Sequence, residues 1–387
     1  MTASAIDLFA EAKTRSLHKL DLYGKYLPPL VYKWGRLAGP GRPRRNIWLV
    51  DGFAGAGRYQ PDDGGRAQDG SPLIAAKWAR QIALDRHYPL VRCINVERDP
   101  TCHAELTRNL APWKDLVVNL RGEFADHLDD ILVAIGNDPA LIFLDPFGVN
   151  GIEMDKIEKI LARGAKTELL IHFSDKTFLR MAGHLDDNGM RLPVGRKVAE
   201  AKLAHLDAVV GTPLWRRLWD GHAGTNPAMD LIAELYLSEL RTRVTYAHQI
   251  RIRDHYEDRA AYRLVFCTTS PHGVELMSDI ACRYETTLKE TADAGAMTLW
   301  ADQEARDRKT RLRDAVFAAG LARGIATREA LIHELAPQQF GRYTTTEYSE
   351  VLRDLVRDGR IERANATGIE PREPLRFVPP AQGSLFG

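Results

Sequence analysis

Short, mostly apolar runs alternate with longer amphipathic stretches through the first half of the chain. The runs have the length of strands, and the stretches between them carry helix signals such as Ser71 followed by Pro72. Strands that alternate with helices are typical of βαβ units, and wholly apolar strands are typical of a sheet covered on both faces. The pattern therefore predicts an α/β fold with a mostly parallel, Rossmann-like sheet. Its first five strands are expected at 47–50, 90–96, 116–120, 140–144 and 168–173.

The segments around this pattern predict a helical cap and a helical insertion. Residues 1–45 are expected to form an N-terminal helical cap with an aromatic face, interrupted at Pro28-Pro29. Residues 175–240 are mostly helical in pattern, and we interpret them as an insertion over the mouth of the sheet. Two further strand-like runs favour an antiparallel pair at the sheet edge, at 244–252 and 261–268.

The pattern changes again near residue 303, where charged and capped helices precede two short strand-like runs. Gly359 follows one of these helices at the position where a helix commonly ends. A helix–helix–wing order of this kind predicts a C-terminal winged helix-turn-helix domain over 301–387. The sheet and its insertion then form a central domain over 46–300.

Composition restricts the function classes. The chain has 387 residues, with 44% hydrophobic and 27% charged residues, which is ordinary for two globular domains. A net charge of +1 does not support a globally basic nucleic-acid binder. The four cysteines form no CxxC pair, so we assign no metal ligands and expect free thiols in a reducing cytoplasm. The longest apolar runs are far shorter than the roughly 20 residues of a membrane helix, so we expect no membrane association.

The strand 47–50 leads into a glycine-rich turn that favours a nucleotide-type ligand. The sequence from Asp51 through Phe53 to Gly55 and Gly57 places a GxG motif between a strand and a helix. Glycines at the carboxyl end of the first strand allow a ligand to approach the backbone closely. The alternative interpretation is a purely structural turn, because GxG alone is common in tight turns.

Acidic residues after the next two strands fit the same ligand. Glu97 ends the second strand, where a carboxylate accepts hydrogen bonds from ribose hydroxyls in an S-adenosylmethionine (SAM) site. After the third strand, Glu123 or Asp126 is a candidate contact for the adenine amine, and Phe124 for the adenine face. Either acid is equally well explained as a residue of the first helical turn.

The fourth strand delivers Asp145, Pro146 and Phe147 to the same crevice. Amino-methyltransferases carry a related Asp/Asn-Pro-Pro-aromatic tetrad, whose acid accepts hydrogen bonds from the target amine and whose aromatic ring stacks on the base. Here the aromatic residue stands third and Gly148 fourth, which puts the stacking role in question. A turn-initiating role for Asp145 is the alternative. His172, at the end of the fifth strand, is either a further cleft residue or simply packed in the core.

Several motifs together resemble the bacterial three-Cys-motif partner protein (TcmP) family. They are KLDLYGKYL (19–27), VDGFAGAG (50–57), GSPLIA (70–75), ERD (97–99), FLDPFG (143–148) and YRLVFCTTSPHGVELM (262–277). The resemblance implies a class I SAM-dependent methyltransferase-like fold with a seven-stranded sheet and a C-terminal winged helix-turn-helix. It also implies a partner that carries the three-cysteine motif and is similar to radical-SAM proteins.

Two main hypotheses follow. The first is a SAM-dependent methyltransferase acting on a polar acceptor, with nucleic acid as the leading candidate, in which Asp145 positions or deprotonates the acceptor. The second is a non-catalytic accessory subunit that docks the three-Cys partner. A metal-dependent nuclease using Asp51, Glu97 and Asp145 is a weaker third alternative, since nothing in their spacing requires a metal.

Overall fold

The computed structural model describes residues 5–36, 46–59, 67–85, 89–163, 166–185, 196–219, 226–253, 255–293, 299–363 and 369–379. The basic stretch 39–45 lies outside these residues. The chain divides into two compact units, Met1–Ser270 and Pro271–Gly387. Within the described part of the chain, no helix combines the length and apolarity needed to span a membrane.

The first unit is built on a seven-stranded sheet, which confirms the prediction of an α/β fold with a mostly parallel sheet. The strand order is β5-β4-β1-β6-β7-β9-β8, with parallel pairing from β5 to β7 and antiparallel pairing at β9 and β8. A two-stranded ribbon, β2-β3, follows β1. The strands are β1 (Ile47–Asp51), β2 (Arg58–Tyr59), β3 (Gln68–Asp69), β4 (Val91–Glu97), β5 (Val117–Arg121), β6 (Ala140–Leu144), β7 (Thr167–Phe173), β8 (Tyr246–Ile252) and β9 (Tyr262–Thr268).

Helix α1 (Ala5–Arg36) runs unbroken through Pro28 and Pro29, so the expected interruption does not occur. Two prolines remove backbone donors from a helix interior, but burial of one long apolar face offsets this cost. Tyr23 of that face stacks on Phe143 of β6 with ring centroids 5.0 Å apart. Packing against the sheet therefore keeps the helix continuous where local propensity favours a break.

The remaining helices of this unit complete the layers around the sheet. Residues of α4, α5, α6, α7 and α9 share one hydrophobic core with β1, β4, β6 and β7, so the helices of the insertion cover a sheet face. This differs from the expected position over the mouth of the sheet, because Phe178 and Trp215 are drawn into that core. The helices are α2 (Ser71–Ala83), α3 (Pro100–Leu110), α4 (Phe124–Ile135), α5 (Met154–Leu161), α6 (Asp175–Ala182), α7 (Arg196–Val210), α8 (Trp215–Leu218) and α9 (Asn226–Arg241).

In its described residues the second unit combines four helices with a three-stranded antiparallel sheet in the order β10-β12-β11. Its elements are α10 (Pro271–Asp293), α11 (Leu299–Arg323), β10 (Ile325–Ala326), α12 (Arg328–Leu335), α13 (Thr345–Arg357), β11 (Ile361–Arg363) and β12 (Leu375–Phe377). Helix α10 belongs here because Ser278 and Asp279 accept hydrogen bonds from the backbone N–H groups of Gly341 and Thr345. The division therefore falls before α10, about 30 residues earlier than the expected boundary at 300/301.

Candidate functional site

A cleft of about 290 Å³ opens at the carboxyl ends of the parallel strands of the first unit. Strands β4 and β6 flank β1 on its two sides, so the loops that follow all three meet at one edge of the sheet. The lining residues are Gly52, Phe53, Gly55, Glu97, Arg98, Asp99, Gly122, Glu123, Phe124, Asp145, Pro146, Phe147 and Asn150.

The two glycines of the GxG motif have different environments. Gly55 has a φ of +58°, and a Cβ atom built on it meets no other atom within 4 Å. Gly57 also has a positive φ, but its Cβ would press against Leu106 and Leu73 at 2.9 and 3.2 Å. Gly55 therefore leaves room beside the backbone for a ligand, whereas Gly57 allows close packing of the turn on α2 and α3 and does not line the cleft.

Glu97 ties the glycine turn to the end of β4. Its Oε2 accepts a hydrogen bond from the backbone N–H of Gly55 at 2.8 Å, and its Oε1 accepts one from the N–H of Asp99 at 2.7 Å. Asp99 in turn caps α3 through the N–H groups of Thr101 and Cys102. These contacts hold the Glu97 carboxylate at the cleft, and each oxygen retains a lone pair for another donor.

Aromatic side chains form one wall of the cleft. Phe53 and Phe124 have ring centroids 6.0 Å apart, and a Cβ on Gly52 would come within 2.9 Å of the Phe124 ring. Glu123 occupies the N-cap position of α4, but its side chain does not cap the helix and instead pairs with Arg98 at 3.2 Å. Asp126, the alternative adenine contact, lies in the first helical turn and does not line the cleft.

Asp145 is partly buried and lies in a charged cluster that the sequence did not reveal. Its Oδ2 forms an ion pair with the ammonium group of Lys19 on α1, and its Oδ1 lies 2.6 Å from the Nδ1 of His172. Burial alone would raise the pKa of Asp145, but Lys19 and His172 outweigh burial, and the pKa lies well below its usual range. Asp145 is therefore a carboxylate with little tendency to take up a proton.

His172 and Lys19 share a further neighbour in Tyr262. The Tyr262 ring lies edge-on to His172 with centroids 4.2 Å apart, and the Nζ of Lys19 is 5.9 Å from its centre. Burial lowers the pKa of His172, although Asp145 partly counters the shift. Burial thus favours the neutral form of His172, while Lys19 lies beside Asp145 as a second, cationic neighbour. The sequence did contain a sign that Lys19 is buried, because it shares the apolar face of α1 with Tyr23 and Tyr26.

Asp51 is enclosed behind the cleft and does not line it. Its Oδ1 accepts a hydrogen bond from the N–H of Phe53 at 3.0 Å, which shapes the start of the glycine turn. Burial raises the pKa of Asp51 to about 6, with the Ser71 hydroxyl and the Phe53 N–H opposing the rise and Asp145 adding to it.

Pro146 and Phe147 continue the cleft beyond Asp145. Phe147 differs sharply in exposure from Phe143, four residues earlier. The Phe147 side chain is 98% exposed, while Phe143 of the same segment is fully buried. A single exposed ring is ordinary on a protein surface, but this one lines the cleft, where a bound ligand could contact it. The described lining of the cleft thus has two parts. Glu97 and the open space beside Gly55 form one part, and Asp145 and the exposed Phe147 ring form the other.

No protein-family model and no curated protein matches the sequence. Among solved structures, the DUF519 protein LPL1258 of Legionella pneumophila is similar at 10% identity and a TM-score of 0.40, covering 70% of this chain and 90% of that one. The O-methyltransferase TomG of Streptomyces achromogenes, in complex with SAM, is similar at 13% identity and a TM-score of 0.30, covering 62% and 80%.

An O-methyltransferase of Bacillus cereus, in complex with S-adenosylhomocysteine (SAH), is similar at 14% identity and a TM-score of 0.32, covering 69% and 93%. At these identities and scores the likeness does not indicate what this chain binds. The resemblance of its motifs to three-Cys-motif partner proteins stays an expectation.

Proposed function

We propose that the first unit binds SAM in the cleft and transfers its methyl group to a polar acceptor. The observation that carries the proposal is the pairing, in one cleft of about 290 Å³, of Gly55 and Glu97 on one side with Asp145 and Phe147 on the other. The first pair has the properties of a cofactor cradle, and the second those of an acceptor site.

The residues present fit the cofactor. The open space beside Gly55 is of the kind that a close-lying ligand requires, and the Glu97 carboxylate offers acceptor lone pairs for two ribose hydroxyls. Phe53 and Phe124 provide apolar surface for adenine, with Glu123 at the rim. Bound SAM supplies an electrophilic methyl group on a positively charged sulfur.

The chain's own residues then orient the acceptor. Lys19 and His172 hold Asp145 in one position as a carboxylate, ready to accept a hydrogen bond from an N–H or O–H group. Its depressed pKa favours positioning of the acceptor over removal of a proton from it. Phe147 offers a free aromatic face for a planar acceptor, and a nucleobase has the matching shape.

A direct test is to titrate the full-length protein with SAM and SAH by calorimetry, and then to assay SAH formation with candidate acceptors. Binding should be one molecule per chain and should weaken by roughly 1–3 kcal/mol in Glu97→Gln, which loses one acceptor oxygen. Glu105→Gln, an exposed acid on α3, serves as the control and should bind normally. Absence of SAM and SAH binding in wild-type protein would contradict the proposal.

The accessory-subunit hypothesis shares the cofactor site but not the reaction. It predicts SAM binding without SAH formation, even when a three-Cys-motif protein and nucleic acid are added together. The nuclease alternative has less support. Asp145 is paired with Lys19, and Asp51 is enclosed behind the cleft.

We propose that the second unit is a winged helix and that it contacts a protein partner in preference to duplex DNA. The order α11, β10, α12, α13, β11 and β12, with β11 and β12 paired as a candidate wing, supports this proposal. Residues 301–387 contain 14 Lys/Arg and 13 Asp/Glu, a balance of 14 − 13 = +1. Phosphate neutralisation dominates DNA affinity, so this balance favours docking of the expected three-Cys-motif protein.

A further inference from the structure

The second unit holds a compact group of histidine and glutamate side chains that the proposed methyl transfer does not use. His272 and Glu275 lie on the first turn of α10, while Glu329 and His333 lie on α12. The two histidines are 61 residues apart in the sequence, yet the Nε2 of His333 is 3.0 Å from the Nδ1 of His272. The spacing along the chain gave no metal signature, and only the fold brings these side chains together.

Three donor atoms of this group form a nearly equilateral triangle. The Oε2 of Glu275 lies 3.4 Å from the Nδ1 of His272 and 3.5 Å from the Nε2 of His333, which completes the triangle with the 3.0 Å separation. Bonds of about 2.0–2.1 Å to a tetrahedral zinc ion place its ligand atoms roughly 3.3 Å apart. The triangle therefore has the size of one face of such a tetrahedron.

The remaining atoms orient the ligands as a metal site requires. The other ring nitrogen of His272, Nε2, lies 3.1 Å from the Oε1 of Glu329, within ion-pair distance. The Oε2 of Glu329 is held in turn by the Nε of Arg372 at 3.0 Å. A carboxylate beside one ring nitrogen favours the proton there, and the opposite nitrogen, Nδ1, is the one that faces Glu275 and His333.

We infer that His272, Glu275 and His333 bind a divalent transition-metal ion of the Zn²⁺ type, which fastens the start of α10 to α12. Two imidazoles and one carboxylate are a ligand set that suits zinc and leaves one position of a four-coordinate ion to water. Glu275 also lines an open pocket of about 190 Å³ with Arg328 and Ser349, so this proposed ligand can be reached from solvent. The site is separate from the SAM cleft and does not depend on the proposed reaction.

The test uses full-length protein stripped with a chelator and titrated with Co²⁺, followed by competition with Zn²⁺. We expect one ion per chain, with the visible absorption of four-coordinate Co²⁺ and its loss on adding Zn²⁺. His333→Ala and His272→Ala should abolish this binding, and Glu329→Gln should weaken it by roughly 10–100-fold. His103→Ala, which alters a histidine on α3 of the first unit, is the matched control and should bind as wild type does.

X-ray absorption at the zinc edge of the wild-type protein keeps the proposal testable even where a variant fails to fold. Two imidazole nitrogens in the coordination sphere are the expected result. A protein that takes up no Co²⁺ or Zn²⁺, one whose binding survives both histidine substitutions, or a spectrum without imidazole would each overturn the proposal. In those cases the two rings simply share a hydrogen bond between α10 and α12.

Discussion

Lys19 of α1 and Asp145 at the end of β6 form a buried ion pair across 126 residues of sequence. Their side chains are only 7% and 14% exposed, so each charge depends on the other for compensation. The pair joins the N-terminal helix to the carboxyl edge of the sheet. Helix α1 is therefore part of the candidate active site and not merely a cap on the sheet.

Replacing Lys19 with Met should raise the pKa of Asp145 toward and above its ordinary value of 3.8. Burial favours the protonated acid, and in this variant His172 is the one of the two neighbours that still favours the carboxylate. Carboxyl-carbon NMR titration of protein labelled at aspartate would measure the shift. Lys25→Met, an exposed position of the same helix that pairs with Asp21, is the control and should leave the Asp145 titration unchanged. An unchanged titration in Lys19→Met would show that the ion pair does not set the charge of Asp145.

A valine at position 55 should abolish SAM binding by filling the space beside the backbone. The substitution also strains the chain, because Gly55 has a φ of +58°. Gly359→Val provides a matched control, since Gly359 has a φ of +67° and equally open surroundings in the second unit. Both variants should lose thermal stability to a similar degree, and only Gly55→Val should lose the calorimetric signal. Normal SAM affinity in Gly55→Val would remove Gly55 from the site.

Phe147→Ala should affect ligand binding and leave stability nearly unchanged. The exposed ring contributes little to folding, so the free energy of unfolding should change by no more than about 0.5 kcal/mol. Truncation of the buried Phe143 should instead cost about 3–5 kcal/mol. If a base stacks on Phe147, single-stranded oligonucleotide binding measured by fluorescence anisotropy should weaken by about 1–3 kcal/mol. Equal oligonucleotide affinity in wild type and Phe147→Ala would exclude stacking there.

The raised pKa of Glu168 predicts that the free energy of unfolding declines as the pH rises toward neutrality. Burial raises its pKa to about 7, although the hydroxyls of Tyr26 and Thr268 donate hydrogen bonds to it and partly oppose the shift. A raised carboxyl pKa means that the folded state holds the proton more tightly than the unfolded state. The resulting stabilisation is complete below the unfolded value near 4.5 and is lost as the pH rises through about 7.

Glu168→Gln should remove this dependence, because the amide does not titrate. The difference in unfolding free energy between pH 5 and pH 8 should shrink by up to about 3 kcal/mol relative to wild type, as measured by urea denaturation. Glu158→Gln, on the exposed part of α5, should retain the wild-type pH dependence. Parallel pH profiles for wild type and Glu168→Gln would refute the assignment.

The sequence predicted the sheet because its signal is local. Apolar strands such as 140–144 are buried on both faces, and the order of strands and helices restricts the topology to a few forms. Gly55, Glu97 and Asp145 could be placed at one cleft for the same reason, since each directly follows a strand whose carboxyl end lies at the same edge.

The features that the sequence missed depend on long-range contacts. No local pattern pairs Lys19 with Asp145 or His272 with His333, because these contacts exist only after the helices have packed. The continuity of α1 through Pro28-Pro29 likewise reflects tertiary burial overriding propensity. The exposure of Phe147 was also not predictable from the sequence, since nothing in the flanking Pro146 and Gly148 specifies whether the ring is covered in the fold.

The last prediction separates a catalytic role of Asp145 from a structural one. Asp145→Asn alone leaves the Lys19 charge buried without its partner, which should cost about 3–5 kcal/mol of stability whatever the role of Asp145. The double variant Lys19→Met/Asp145→Asn removes both charges and should recover much of that loss.

Methyl transfer should nevertheless stay at least about 100-fold below wild type in the double variant, because the acceptor is no longer held by a fixed carboxylate. SAM affinity should be retained in the same protein. Asp138→Asn, at the opposite edge of the sheet just before β6, controls for loss of an acid near this strand. SAH formation per folded molecule, with SAM affinity measured in parallel, decides the matter: wild-type turnover in the double variant would assign Asp145 to the fold alone.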